Sequence, residues 1–428
     1  MRHFVFIGAL ALLSTFAAAQ SLPQNAADIH LGVASCAASV CHGKVAPVHG
    51  DAFHESSVQF NEYRIWSDHD RHARAYQVLG NEPSRDMARR LGLADARSAK
   101  ICLDCHADNV DAARRGPKFQ LSDGIGCEGC HGGAQHWLAS HTEPGRTHRD
   151  NLARGLYPSD EPYARARLCL SCHMGAADKL ANHQIMAAGH PRLSFELDTF
   201  SVNQPAHYTA DADYEKRKGK SAPGYLWLVG QVESARQWSG LIDRHLRGGV
   251  ASELAIYDCH ACHHPMRPLR GQPDDFSAVL PPGSLRLLDY PYDMLSAVFA
   301  VLLPQQAGAW NEAVRDLHRA SVNPQRMSAA TAALTRQLQP LEQQLRATPP
   351  TTEQLRALRG HIAAQAAAGR YADFSSAEQA FLALESLSYA LGDRQRLLTQ
   401  LDAVFKTVAN EQSYRAIDFA GACRALAL

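Results

Sequence analysis

Ten of the eleven cysteines stand in five close pairs, and each pair is followed at once by a histidine. Four read Cys-x-x-Cys-His: Cys102, Cys105 and His106; Cys127, Cys130 and His131; Cys169, Cys172 and His173; Cys259, Cys262 and His263. A fifth, Cys36, Cys41 and His42, has four residues between its cysteines. At this chain's cysteine and histidine frequencies the shorter pattern is expected by chance about 0.01 to 0.02 times. Two thiols at this spacing can add to the vinyl groups along one porphyrin edge, and the residue that follows lies beneath the ring, where histidine ligates iron. The ten cysteines therefore read as attachment points for five haem c groups, and the five motif histidines as proximal iron ligands.

Other chemistries fit less well. A structural zinc site takes four ligands from two such knuckles and has no use for a histidine after every pair. A thioredoxin-like redox pair expects one motif at the end of a strand before a helix. At the Cys36 motif the two extra residues must bulge out before both sulfurs reach the porphyrin, so a disulfide or free thiols compete there.

Of the 22 histidines, five are motif residues and 14 of the others lie between His30 and His264. That density suits iron held between two histidines. Methionine is the main rival ligand, yet only Met87, Met174, Met186 and Met266 occur in this region. Two histidine ligands give a lower potential than a methionine and a histidine, so a low-potential chain is expected. The run from Asn61 to Tyr76 has helical apolar spacing that places His69 and His72 on one face.

These residues resemble the cytochrome c-554 family of multihaem cytochromes, which supplies electron transfer beside bacterial hydroxylamine oxidation. The resemblance spans about residues 31 to 270. It rests on the Trp66 to Ala75 stretch with His72-Ala73-Arg74-Ala75, on Gly126-Cys127-Glu128-Gly129-Cys130-His131-Gly132 with His141 soon after, and on the run of motifs. It implies that His72 and His141 are distal ligands to other haems, and that one haem lacks a sixth ligand. This chain departs from the family in its fifth motif, its longer first motif, and a Trp66 to His72 interval one residue longer than the family's. Larger exported cytochromes of the same superfamily contain stretches like Ala181 to Leu193.

Within that stretch His190 sits between Gly189 and Pro191, a rigid turn able to hold an imidazole over a ring. His190 and His148 are the further distal candidates, with His183 and His207 behind them. Each could instead bond a haem propionate or line the surface.

The elements that must position these residues are mainly α-helical with much irregular structure. Residues 1–19 read as a secretory signal peptide: a short basic start, an apolar stretch below the roughly 20 residues a membrane span needs, and the small Ala17-Ala18-Ala19 site. Residues 20–266 hold all five motifs as a multihaem cytochrome c domain. The charged stretch Asp211 to Gly224 reads as an exposed loop, and a helix is expected from about Tyr225 to Leu246. A Pro/Gly-containing linker at 267–284 leads to residues 285–428, an α-helical bundle domain whose helices start near Thr351 and, in capping-box form, at Ser375-Ser376-Ala377-Glu378.

Lys plus Arg equals Asp plus Glu at 43 each, which argues against a nucleic-acid partner. No later segment is long and apolar enough to span a bilayer, so no transmembrane segment is expected once the signal is removed. The expected function is periplasmic electron transfer through haem c iron, with redox partner proteins as donor and acceptor. A reductase or oxidoreductase of a small nitrogen or sulfur compound, working at one five-coordinate haem, is the alternative, and membership of a larger complex is a third reading.

Overall fold

The computed structural model describes residues 21–45, 59–247, 253–263 and 276–426. The expected signal peptide and the expected linker up to residue 275 lie outside the described residues. Among the described residues the structure is helical and irregular, with β pairing limited to isolated bridges such as Tyr257 with Leu287. No described helix is long and apolar enough to cross a membrane.

The motif-bearing region up to about residue 190 is built from short helices and turns, and the motifs themselves lie in them. Lys100–His106, Cys127–His131 and Pro162–His173 are α-helices that each end on the motif histidine. Cys259–Ala261 is a single 3₁₀ turn, started by the Asp258 side chain accepting from the His260 amide. Buried apolar side chains are few here beside those of the helical part. One small cluster joins Leu79, Ala88, Ala96, Leu103 and Ala107.

The stretch expected as one helix from Asn61 to Tyr76 is broken. Helix Glu62–His69 ends at Asp70, which is extended, and a 3₁₀ turn Arg71–Arg74 follows. The Asp70 carboxylate causes the break by accepting from both the amide and the Nδ1 of His72 at 2.9 Å. His69 is left exposed, and His72 is turned to a different face.

From Tyr225 onward the helices lengthen. Helix Tyr225–Leu246 buries Trp227, Leu228, Val232, Leu241 and Ile242 along its length. It packs against Pro162–His173 on one side and against Tyr290–Leu302 and Pro324–Ala347 on the other. Helices Pro304–Ser321, Thr352–Ala367, Phe374–Ala390, Arg394–Val408 and Ala416–Arg424 complete a stack of neighbouring antiparallel-type pairs. A single apolar core runs from Tyr163 and Leu170 through Trp227 and Trp310 to Cys423, which is 2% exposed. The fourth motif's helix therefore shares its core with the helices beyond residue 285.

Two local expectations are corrected. Asp211 to Gly224 is not all loop: Ala212–Lys218 is a helix, capped by the Asp211 side chain and stopped at Gly219 with φ 82°. Acidic residues in its first turn and basic ones in its last suit the helix dipole. Helix Phe374–Ala390 starts one residue before Ser375, because Asp373 accepts from the Ser376 amide and takes the capping position. At Thr351 the expected start is present as a capping box with Gln354.

Candidate haem-binding sites

Each of the five motif histidines faces the ring of one histidine from elsewhere in the chain. His42 faces His141 with ring centres 6.3 Å apart, His173 faces His72 at 6.0 Å, and His106 faces His190 at 6.3 Å. His131 faces His207 at 6.1 Å, and His263 faces His183 at 6.4 Å. A metal ion bonded to two imidazoles at about 2 Å, with about 1.2 Å from each nitrogen to its ring centre, sets the centres about 6.4 Å apart. All five pairs have the spacing of two rings with an ion between them.

Tautomers agree with that arrangement. Nδ1 of His106 donates to the Ala75 carbonyl at 3.0 Å, and Nδ1 of His190 to the Pro191 carbonyl at 2.8 Å. Nδ1 of His141 donates to the Leu138 carbonyl. A carbonyl only accepts, so in each neutral ring the proton sits on Nδ1 and Nε2 is left with a bare lone pair. His42 and His72 are oriented by carboxylates instead, Nδ1 to Glu62 at 2.9 Å and Nδ1 to Asp70 at 2.9 Å. Such outer contacts hold ligand imidazoles in place.

Burial keeps several of these rings neutral, the form that binds metal. Burial, with the neighbouring His207 and Lys218 charges, pushes His131 down to about 3. It also lowers His106, His173 and His207. The Glu62 hydrogen bond raises His42, and the Asp70 hydrogen bond raises His72.

His148 is placed elsewhere. Its Nε2 lies 3.2 Å from Asp160, and the ring facing His131 is that of His207. The expected residues thus include four of the five facing partners, His72, His141, His183 and His190, and His207 supplies the other. Nothing in the local sequence around His207 marks it apart from the Pro205 two residues before.

The cysteines lie beside these ring pairs. Around the fourth motif there is a cavity of about 390 Å³, lined by Cys169, Cys172 and His173 on one side and by His72, Phe195 and Phe200 on others. Phe195 stacks on His173 with centres 4.6 Å apart. Cys105 and Cys130 of two other motifs also line it. Further motif contacts run in pairs: Cys36 interacts directly with Cys127, and Cys105 with Cys172. Lys179 Nζ stands 3.0 Å from Cys172 Sγ.

The donor set suits haem c. Paired thiols, a neighbouring imidazole and an opposed imidazole are what a covalently attached, six-coordinate haem requires. Trp137 packs edge-on against His141 with centres 5.7 Å apart, and its buried Nε1 finds no acceptor among the described residues. A ring that carries two propionate groups offers one.

Residues 37–132 match the family model for cytochrome c554 and c-prime. That match takes in His42, the second and third motifs, and His72. No curated protein and no solved structure matches the chain.

Proposed function

We propose that this chain, whose residues 37–132 match the c554 family model, is an exported electron-transfer cytochrome that carries five covalent haem c groups, each iron held between two histidines. The cysteine pairs at 36 and 41, 102 and 105, 127 and 130, 169 and 172, and 259 and 262 attach the porphyrins. His42, His106, His131, His173 and His263 are the proximal ligands. His141, His190, His207, His72 and His183 are the distal ligands in the same order. Haem c supplies a one-electron valence change at iron. The polypeptide sets the spacing, orientation and electrostatics of the irons.

One observation carries the carrier reading over the enzyme reading: every motif histidine has a second histidine opposite it at 6.0 to 6.4 Å. Were each pair to hold one haem iron, the two histidines would fill both protein-facing positions and leave none open for nitrite, nitric oxide, hydroxylamine or a sulfur oxyanion. Contacts between motifs support a connected path. Glu128 of the third motif accepts from the Leu31 and Gly32 amides just before the first motif. The His72 carbonyl at the fourth site accepts from Ile125 just before the third motif at 3.0 Å. His106 at the second site donates to Ala75, three residues after His72. The path through these four sites runs first, third, fourth, second.

The helices beyond residue 285 serve as a packing cap that completes the core beneath the fourth and fifth motifs. Donor and acceptor are redox proteins met outside the cytoplasm, after removal of residues 1–19.

The test is the optical and electron paramagnetic resonance spectrum of the oxidised, periplasmically matured protein, taken with its intact mass. A mass gain of five haems and purely low-spin iron are expected. A high-spin band that shifts on adding cyanide, nitrite or nitric oxide would overturn the carrier reading.

A further inference from the structure

The fifth motif has no counterpart in the path just described, and one short segment ties it to the second site. His190 faces His106 at the second site, and Pro191 and Arg192 follow it directly. The Arg192 guanidinium lies over the Phe374 ring, 5.2 Å from its centre. Phe374 in turn meets His260, between Cys259 and Cys262, with ring centres 6.5 Å apart. The Arg192 charge reaches the Cys259 thiol, where burial and Glu411 push the pKa up and Arg192 opposes them.

Arg192 is itself largely buried, its side chain 15% exposed, and is paired with Glu378 at 2.9 Å and Glu411 at 3.3 Å. One permanent cation and two carboxylates therefore stand beside the attachment cysteines of the fifth motif. Asp258, just before Cys259, adds a further carboxyl group that burial and Asp373 raise to about 6.

We infer that the His190–Pro191–Arg192 segment joins the second and fifth sites, which places the fifth haem at the end of the array, and that Arg192, Glu378 and Glu411 set its potential. This rests on the five-haem reading above. With haem held at both sites, this joint would serve a one-electron exchange, the second site's iron oxidised as the fifth site's is reduced. No proton moves and no bond forms or breaks. Reduction removes one positive charge from the haem, so a nearby cation favours the ferrous state and raises the potential, and a nearby carboxylate lowers it. Arg192 and the two glutamates are positioning residues in this scheme, since none of them touches iron.

The test is a pair of substitutions of opposite sign, Arg192→Met and Glu411→Gln, in the full-length matured protein, followed by potentiometric titration of each haem. Arg192→Met is expected to lower the midpoint of one haem and Glu411→Gln to raise the midpoint of that same haem, with the others unmoved. If Arg192→Met fails to mature, Glu411→Gln and Glu378→Gln are expected to raise one common midpoint. Shifts of the same sign in Arg192→Met and Glu411→Gln, or no shift in any variant, would overturn the inference. Mass and spin state are recorded on the same samples. Five low-spin haems with unmoved midpoints sink this inference alone, and fewer haems or high-spin iron in the unsubstituted protein sink the reading beneath it.

Discussion

His207 meets His131 edge to face, the two ring planes 90° apart with centres 6.1 Å from one another. The two residues are far apart in the chain, and each is half-buried. His148, nearer in sequence, is turned toward Asp160.

That relationship sets the first prediction. His207→Ala leaves one haem in five without its sixth ligand, so a high-spin signal that responds to cyanide should appear in the oxidised protein. His148→Ala should leave the spectrum low-spin throughout. The reverse result in the two variants would move the distal ligand of the third site to His148.

Glu62 gives the second. Its carboxylate takes the Nδ1 proton of His42 in a hydrogen bond, which makes the imidazole a stronger donor to ferric iron. Glu62→Gln keeps an acceptor and removes the charge. The midpoint of the first haem should rise while the haem count by mass stays at five. An unchanged set of midpoints would contradict this.

Asp289 sets an acid limit on stability. Burial pushes its carboxyl up, but the Arg286 charge and the His318 hydrogen bond outweigh burial and hold it at about 2, below the ordinary value of 3.8. A carboxyl depressed on folding contributes stability above its unfolded pKa and loses it as pH falls through the folded value. The loss should fall between about pH 4 and pH 2 and amount to roughly 2 kcal/mol. Asp289→Asn should flatten that part of the stability curve, and should lower stability at neutral pH by taking the carboxylate from His318 and leaving Arg286 to Asp373. Denaturant titrations across pH measure both.

The helical cap yields a fourth prediction. Trp310 is fully buried, stacks on Phe299 with centres 4.9 Å apart and donates to Ser296 Oγ at 3.0 Å. Trp310→Ala should destabilise the protein by about 3–5 kcal/mol and lower Tm. The haem spectrum should not change, because no motif residue touches Trp310. A shift in haem midpoints would mean that this part of the chain tunes the irons as well as packing beneath them.

What the residues disclosed in advance depended on the range of the chemistry. The cysteine pairs and the histidines beside them are legible as candidate haem sites because two thioethers and one iron bond would have to come from adjacent residues, and spacing is all that a linear reading sees. Distal ligands come from anywhere in the chain. His190 was marked by the rigid turn between Gly189 and Pro191, and His72 and His141 by family likeness. His207 carried no mark beyond its place among the candidates, and the structure pairs His148 with the Asp160 carboxylate. Helix Tyr225–Leu246 was legible from its apolar periodicity. Helix Ala212–Lys218 was not, because its charges read as solvent-exposed chain and its order comes from Asp211 and Gly219 at its two ends. Asp70 broke an otherwise helical run for a similar local reason, a side chain competing for the backbone amide two residues on.

Helix Pro162–His173 carries Leu170, 1% exposed in the shared core, between Cys169 and Cys172 of the fourth motif. A single turn thus carries both a packing residue and, under the proposed function, two attachment cysteines, which would place an order on biogenesis. If haem is attached at these two sulfurs after export, as proposed, the ligation machinery would have to reach them before the carboxyl-terminal helices dock on Leu170. A chain that closes too early would strand a colourless, misassembled product, so slowing the collapse of the final helices should improve the yield of mature cytochrome.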